Sequence, residues 1–437
     1  MDSILHIDLL IQPDREGTYF TLPFQLDREA ASLTITYHYD RYANMVQPAQ
    51  NGEYHAQPEI NIIDLGLIAP DGSQVGASGS DKTEIQISET HATPGYNPCR
   101  LMPGEWQILV GAYKVAPEGC RVSYDIRWTS KEVQLLKGDL HIHTVASDGV
   151  CTPAELGQRV VRHGMDFLAI TDHNQMIARA ALPQIPGLTM IPGIEWTHYQ
   201  GHANFLGIDQ PYDEPFATNT VEDALARFQS ACRRGALITI NHPLDPTCGF
   251  QFDLNTFPFD CLEVWNGPMR ESNLRAVGLW QSLLSAGRKI PICGGSDYHR
   301  DTPFIFPGGP TTCIHAMSPG ISDILDALRK GHGYIVFAPN GPTLTLNAGD
   351  AMVGDTVAWS DVKQIHICAS GLQAGDVLRV VTATGADVLL QAPAPGFAEL
   401  DYPMQTPGFA RVEILRSFLP GIPMLPALLS NPVYFED

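Results

Sequence analysis

The 437-residue sequence lacks several features that mark particular protein classes. It has no long uncharged apolar run of the kind that spans a membrane, and no signal-peptide pattern follows Met1. Its nine cysteines include no Cys-x-x-Cys pair, which argues against a disulfide framework and a thiolate zinc site. Lys and Arg number 27 against 48 Asp and Glu, so the formal net charge is -21. We therefore expect a cytoplasmic protein that binds neither membrane nor nucleic acid, although a small phosphate ester stays open as a ligand.

The chain is too long for one ordinary core, and its patterning changes twice. Residues 1–130 have short β-type runs separated by turn signals such as Asn51-Gly52, which predicts an N-terminal β-sandwich. Residues 131–340 alternate strands and helices, which predicts an α/β domain with a mainly parallel sheet or barrel. Residues 341–437 return to β character and predict a second small β domain or an extension packed on the barrel.

Helices in the middle part carry start and stop signals. Thr152-Pro153-Ala154-Glu155 is a capping box with proline at the first helical position, and Thr220 can cap a helix over 221–233. Glycines follow the helices predicted over 271–286 and 322–330. The strands between them number seven and comprise the run that leads to residue 143, then 167–171, 188–194, 237–240, 261–265, 289–293 and 311–314.

Five of these apolar runs end in side chains that bind metals. In a strand, residues i and i+2 point to the same face, so His141 and His143 should aim together. Parallel α/β barrels build their active sites at the carboxyl ends of the strands, where these residues fall. The predicted metal ligands are His141, His143, Asp148, His173, Glu195, His202, His242, Asp297 and His299.

Nine candidate ligands exceed the needs of one ion, so we expect two or three divalent metal ions. Histidine and carboxylate ligands without cysteine suit Zn, Mn or Fe. Glu195 is the predicted bridging carboxylate, and Asp297→Asn should abolish turnover. A metal-bridging hydroxide can attack phosphorus or an acyl carbon. The sequence also has no Gly-x-Ser-x-Gly elbow and no Walker-type loop, which fits a mechanism without a protein nucleophile.

Other polar residues near these runs carry two interpretations each. Arg300 either holds a phosphate or carboxylate of the substrate or forms a surface salt bridge. Asn266 either hydrogen-bonds the substrate or caps a turn. Asp172 either orients an imidazole or caps its loop. His198 competes with His202 for the ligand role, and His202 is favoured because it opens an apolar strand.

The chain resembles the PHP (polymerase and histidinol phosphatase) family of metal-dependent hydrolases in five segments. The resemblance implies a distorted (β/α)7 barrel with a two- or three-metal site, and it supports every predicted ligand except His202, whose distance from the glutamate varies. The β regions on both sides of the barrel look like the CehA/McbA-type branch, which includes aryl carbamate hydrolases. The matching segments are Asp139-Leu140-His141-Ile142-His143-Thr144 with Ser147-Asp148-Gly149, Ile170-Thr171-Asp172-His173-Asn174, Pro192-Gly193-Ile194-Glu195, Asn241-His242-Pro243 and Gly295-Ser296-Asp297-Tyr298-His299.

The predicted function is therefore a metal-dependent hydrolase acting on a small ester. A phosphoester is the first choice because metal ions suit phosphoryl oxygens. The alternative is a carboxylic or carbamate ester hydrolase of the carbaryl-hydrolase type, and a catalytically silent metal- or sugar-binding protein comes third. A small-molecule ester is the expected partner, and the sequence is compatible with a homo-oligomer.

Overall fold

The computed structural model describes residues 2–43 and 58–437, and the predicted turn at Asn51-Gly52 lies outside them. The chain divides into two compact units, Met1–Glu132 and Val133–Asp437. The range 341–437 falls in the second unit together with the predicted barrel region. In the described part of the chain, every helix is too short or too polar to cross a lipid bilayer.

The first unit consists of two four-stranded antiparallel sheets with strand orders β1-β8-β3-β6 and β2-β7-β4-β5. Alternate residues of both sheets, such as Ile35 in β3 and Ile108 in β7, are fully buried in one shared core. The strands are β1 (Asp2–Ile11), β2 (Thr18–Leu26), β3 (Ala30–Tyr39), β4 (Ile62–Ile68), β5 (Gln74–Ser78), β6 (Glu84–Ser88), β7 (Gly104–Lys114) and β8 (Cys120–Ser130).

The second unit begins with nine strands and four helices. The strands are β9 (Gln134–Asp139), β10 (Phe167–Ile170), β11 (Thr189–His198), β12 (Gly201–Leu206), β13 (Leu237–Ile240), β14 (Cys261–Asn266), β15 (Ile292–Gly295), β16 (Thr311–Ala316) and β17 (Gly333–Val336). The helices are α1 (Pro153–Arg162), α2 (Val221–Arg233), α3 (Glu271–Ser285) and α4 (Ile321–Lys330).

These nine strands follow one another in the sheet order β15-β14-β13-β12-β11-β10-β9-β16-β17. The runs β9-β10-β11 and β13-β14-β15 are parallel, whereas β12 and β16 are antiparallel to both of their neighbours. The sheet is thus mixed: seven of its nine strands run in the same direction, as expected for a mainly parallel sheet, and β12 and β16 run against them. β12 is reversed because a tight turn before Gly201, whose φ is +136°, returns the chain directly after β11.

The edge strand β15 also contacts β16, from which six strands separate it in this order, through a side chain. Thr312 Oγ1 in β16 accepts a hydrogen bond from Gly294 N at 2.9 Å and donates one to Gly294 O at 2.8 Å. The carboxyl ends of β9, β10, β11, β13 and β15 lead into the predicted ligands. The capping box of α1 is present, and Gly331 ends α4 with a φ of +70°, so both helix signals are confirmed.

The remaining strands extend the same unit. β18, β19, β21 and β24 form a four-stranded antiparallel sheet of order β19-β18-β21-β24, while β26, β25, β22 and β23 continue the long sheet from β17. The core of this region includes Cys313 and Tyr334 from β16 and β17, which explains why it does not separate from the preceding strands. The strands are β18 (Thr343–Ala348), β19 (Ala351–Met352), β20 (Thr356–Ala358), β21 (Gln364–Leu372), β22 (Val377–Val381), β23 (Ala386–Gln391), β24 (Gly396–Pro403), β25 (Gly408–Arg416), β26 (Leu425–Ser430) and β27 (Val433–Glu436).

Candidate metal centre

A buried carboxylate joins the ends of β9 and β15 and so brings the first ligand pair to Asp297. Asp139 Oδ1 accepts hydrogen bonds from His141 N at 3.2 Å and Ser296 N at 2.9 Å. Its Oδ2 accepts from Gly308 N at 2.8 Å. Burial raises the pKa of Asp139 despite these three donors. Asp139 therefore positions the two strand ends and does not face the site.

Glu195, at 1% exposure, lies at the centre of the cluster. Both of its oxygens are surrounded by imidazole nitrogens from five different histidines. The distances from Oε1 are 3.1 Å to His202 Nδ1, 3.2 Å to His141 Nε2 and 3.3 Å to His242 Nε2; those from Oε2 are 2.8 Å to His173 Nδ1 and 3.5 Å to His143 Nε2.

Asp297 and Asp148 complete the cluster at different depths. Asp297 Oδ1 lies 3.1 Å from His143 Nε2 and 3.4 Å from His141 Nε2. Asp148 is half exposed, and its Oδ2 lies 3.4 Å from His299 Nε2 and 3.7 Å from His173 Nε2. The structure thus brings all nine predicted ligands together, in overlapping groups whose donor atoms lie within 4.8 Å of one another.

Acceptors outside the cluster fix which nitrogen His141 and His173 present. His141 Nδ1 lies 3.0 Å from Glu263 Oε1, and His173 Nδ1 lies 2.7 Å from Thr197 Oγ1. Because Thr197 Oγ1 also donates to Glu195 O at 3.2 Å, it can only accept from the imidazole. In the neutral form of both rings the proton therefore sits on Nδ1 and the lone pair of Nε2 faces the cluster, as metal ligation requires.

His299 and His242 are held in a similar way. His299 Nδ1 donates to Asp297 O at 2.9 Å, which leaves its Nε2 facing Asp148. His242 Nδ1 lies 3.6 Å from Cys248 Sγ, while its Nε2 faces Glu195. These outer contacts orient the imidazoles before any ion binds.

The donor set fits divalent metal ions. His141 Nε2, His143 Nδ1 and Glu195 Oε2 are buried, yet none has a hydrogen-bond partner among the described residues. Glu195 Oε2 is close to His173 Nδ1, but that N–H is directed to Thr197 Oγ1. Buried polar atoms without partners are costly, and bound cations would satisfy these two nitrogens and this oxygen. Nitrogen and carboxylate donors in this mixture suit Zn, Mn or Fe.

Burial and charge act against each other at the central groups. Burial alone raises the pKa of Glu195, but the nearby imidazoles, His141 foremost, outweigh it and hold the pKa well below its usual value. Burial lowers the pKa of His141, but Asp297, Glu263 and Glu195 raise it well above the usual value. For His143 burial prevails and the pKa is lowered. Without a cation, protons on the imidazoles balance the carboxylates.

Three residues in or next to the cluster adopt the left-handed backbone conformation although they have side chains. The φ angles are +46° at Asn174, +27° at His242 and +50° at Asp297. Such conformations cost about 1–3 kcal/mol each and are concentrated at functional sites. Here each follows a strand end and turns its side chain into or beside the cluster.

The second group of predicted residues lies around the rim. Asn266 is buried, and its Nδ2 donates to Glu263 Oε2 at 3.1 Å and Asp297 Oδ2 at 3.2 Å. Its Oδ1 accepts from Arg270 Nη2 at 3.1 Å. Arg300 is exposed, and its Nη2 donates a hydrogen bond to Asp148 O at 3.4 Å. Neither arginine forms an ion pair with a carboxylate in the described residues, so the salt-bridge interpretation of Arg300 is wrong.

Asp172 and His198 do not join the cluster. Asp172 accepts hydrogen bonds from Thr144 N, Thr144 Oγ1 and Ser147 Oγ, at 2.7 to 2.8 Å, and so caps the loop after His143 instead of orienting an imidazole. His198 stacks on Trp196 with ring centroids 5.3 Å apart, whereas His202 lies in the cluster.

Sequence reasoning missed two residues that contact the ligands. Glu263 is not among the predicted ligands, yet it supports His141; a charged residue within the fully buried strand Cys261–Asn266 was the sequence feature that could have indicated it. Cys248 lies in a group with His202 and His242 and received no role. No local pattern marks it, because its loop returns to His242 only in the folded chain.

Comparison with known proteins agrees with this arrangement. Residues 139–292 match the model of the PHP domain. A 5'-3' exoribonuclease Rnm of Salmonella typhimurium is 39% identical over 100 residues, covering 20% of this chain and 34% of that protein. A 3',5'-nucleoside bisphosphate phosphatase of Chromobacterium violaceum is 32% identical over 105 residues, covering 22% and 36%. The chain thus spans about a third of these relatives' lengths.

Among solved structures, a two-domain protein of Bacteroides vulgatus with a predicted PHP-like metal-dependent phosphoesterase is similar. The similarity covers 65% of this chain and 90% of that one, with 17% identity and a TM-score of 0.39. The segment matched by the family model contains seven of the nine clustered ligands, and only Asp297 and His299 lie beyond it. The chain therefore contains a PHP domain, at residues 139–292.

Proposed function

We propose that this chain is a metal-dependent hydrolase that cleaves a small phosphoester. The observation that carries the proposal is the buried Glu195 carboxylate with five imidazoles around it; its own Oε2 and two imidazole nitrogens, His141 Nε2 and His143 Nδ1, are buried without a hydrogen-bond partner among the described residues. Two or three divalent ions of Zn, Mn or Fe held there would neutralise charge on the attacked group and lower the pKa of water. The phosphatase and exoribonuclease relatives support a phosphoester over a carboxylic or carbamate ester.

Three groups of donors would hold the ions. They are His141 with His143 and Glu195; His141 with His242 and Asp297; and His143 with Asp148, His173 and His299. We infer that the curved sheet β9–β17 around them is the distorted (β/α)7 barrel expected of such a domain, and that the first unit is the expected β-sandwich. Membership of the CehA/McbA-type branch stays a prediction.

Residues at the rim have roles that follow from their contacts. Asn266 uses its amide hydrogens on Glu263 and Asp297, so we assign it to positioning Asp297 rather than to substrate. Arg270 and Arg300 are exposed guanidiniums without a carboxylate partner among the described residues. They are suited to hold a second anionic group of the substrate. The net charge of -21 favours a small substrate over a polynucleotide.

The test is a side-by-side hydrolysis assay with chelator-treated protein reloaded with Mn or Zn. The substrates are a nucleoside bisphosphate, an aryl phosphate, an aryl carbamate and a short 5'-phosphorylated RNA. Asp297→Asn is the informative variant, because asparagine tolerates the left-handed backbone at this position. Asp209→Asn is the matched control, since Asp209 is an exposed carboxylate paired with Arg179.

We expect metal-dependent phosphate release from the small phosphates, lost in Asp297→Asn and unchanged in Asp209→Asn. Faster cleavage of the carbamate would replace the proposal by its alternative, and faster cleavage of RNA would overturn the small-substrate assignment. Equal rates in Asp297→Asn and the parent protein would remove this cluster from consideration as the active site.

A further inference from the structure

A second group of metal-binding side chains lies on the four-stranded sheet β19-β18-β21-β24. His366 and Cys368 are two residues apart in β21, and Glu399 and Asp401 are two apart in β24. The strands are antiparallel, with His366 opposite Asp401 and Cys368 opposite Glu399. Because residues i and i+2 share a face, the register places all four side chains on one side of the sheet.

The donor atoms of these side chains lie close to one another. His366 Nδ1 lies 2.8 Å from Asp401 Oδ1, so Asp401 accepts the Nδ1 proton and the Nε2 lone pair faces its other neighbours. From Nε2, Cys368 Sγ is 3.2 Å away and Glu399 Oε1 is 3.5 Å away. A carboxylate that accepts from one imidazole nitrogen while the other nitrogen faces further donor atoms is the arrangement found around metal-bound histidines.

We propose that His366, Cys368 and Glu399 form an additional divalent-metal site that takes Zn²⁺ or another thiol-binding ion, with Asp401 as the positioning residue. Zn–S and Zn–N bonds of about 2.3 and 2.0 Å at a tetrahedral angle place the two donor atoms about 3.5 Å apart. The observed 3.2 Å requires a shift of a few tenths of an ångström. The side chains of His366 and Glu399 are 39% and 64% exposed, so water can complete the coordination.

The site has a sulfur donor among its proposed ligands, whereas the nine ligands predicted around Glu195 are nitrogen and oxygen donors. A sulfur-to-metal charge-transfer band with Cd²⁺ or Co²⁺ therefore reports on metal binding at this site without measuring turnover. Cys248, next to His242, is the other cysteine grouped with a histidine in the described residues, and it provides the necessary control. The exposed Cys232 controls for non-specific thiol binding.

The experiment titrates the chelator-treated full chain with Cd²⁺ and follows the ultraviolet sulfur-to-cadmium band. We expect a band that persists in Cys248→Ser and Cys232→Ser and is lost in Cys368→Ser. Asp401→Asn should weaken Cd²⁺ binding roughly 10–100-fold. His366→Gln, at an exposed position, tests the same site should Cys368→Ser fold poorly, and it should also remove tight binding.

Two results would overturn the proposal. The first is the absence of a sulfur-to-cadmium band in the parent protein. The second is a band that survives both Cys368→Ser and His366→Gln, whether or not it disappears in Cys248→Ser. Because hydrolysis is not the readout, neither result depends on the function proposed for the other cluster.

Discussion

Replacing Glu263 by glutamine should weaken metal binding through the tautomer of His141. Glu263 is buried, with Oε1 3.0 Å from His141 Nδ1. Its Oε2 accepts from His242 N at 2.9 Å and Asn266 Nδ2 at 3.1 Å. Glutamine offers only one oxygen, which would remain with the two donors, so its NH2 group would face His141. The imidazole must then accept at Nδ1 and carry its proton on Nε2, where it cannot bind an ion.

The expected magnitude follows from outer contacts of this kind. Loss of such a partner weakens metal affinity roughly 10–100-fold. At 25 °C this corresponds to about 1.4–2.8 kcal/mol. In the metal-free protein the effect should be smaller, because the Nε2 proton would face the carboxylate oxygens of Glu195 and Asp297, at 3.2 and 3.4 Å.

The assay is chelator-competition titration with Zn or Mn, together with thermal unfolding of the metal-free chain. Glu413→Gln is the matched control, since Glu413 is equally buried but pairs with Arg411 and Arg379 far from any predicted ligand in the sequence. We expect it to lower the melting temperature without changing metal affinity. Parent-like metal affinity in Glu263→Gln would refute the reasoning, because the proton on His141 would then not depend on Glu263.

Asp172→Ala should destabilise the loop after His143 by about 1–3 kcal/mol, because the buried donors Thr144 N and Thr144 Oγ1 would lose their acceptor; urea unfolding measures this, and an unchanged midpoint would contradict it. A second prediction concerns pH. Burial opposes protonation of His141, but the carboxylates raise its pKa, so its contribution to metal-free stability is complete below pH ~6.5 and is lost as the pH rises through the higher folded pKa. Metal binding requires the neutral ring, so the melting-temperature difference between loaded and metal-free protein should widen from about pH 6 to 8.5. A constant difference in scanning calorimetry would argue against ligation by His141.

Much of the candidate site could be predicted because its residues follow strands that are recognisable from the sequence. Apolar runs before His141, His173, Glu195, His242 and Asp297 are local patterns, and the carboxyl ends of neighbouring strands meet at one sheet edge. The helix ends could also be predicted from local sequence, because the Thr152 capping box and the stop at Gly331 involve residues within one turn.

Other features depended on contacts between distant residues. The return of β12 beside β11 makes the sheet mixed, and the strands after residue 341 join the long sheet through the pairing of β17 with β26. Periodicity cannot reveal these pairings, because it shows which face of a strand is apolar but not which strand lies beside it.

The sequence by itself determined which donor atoms are available. They belong to six histidines, one glutamate and two aspartates, most of which directly follow apolar strands. The tertiary structure alone decided how those atoms are presented. Glu263 reaches His141 across 122 positions of sequence, and Cys248 returns to His242 through its loop. The physical reason is that an imidazole's free nitrogen is set by the partner of its other nitrogen, and that partner is chosen by packing.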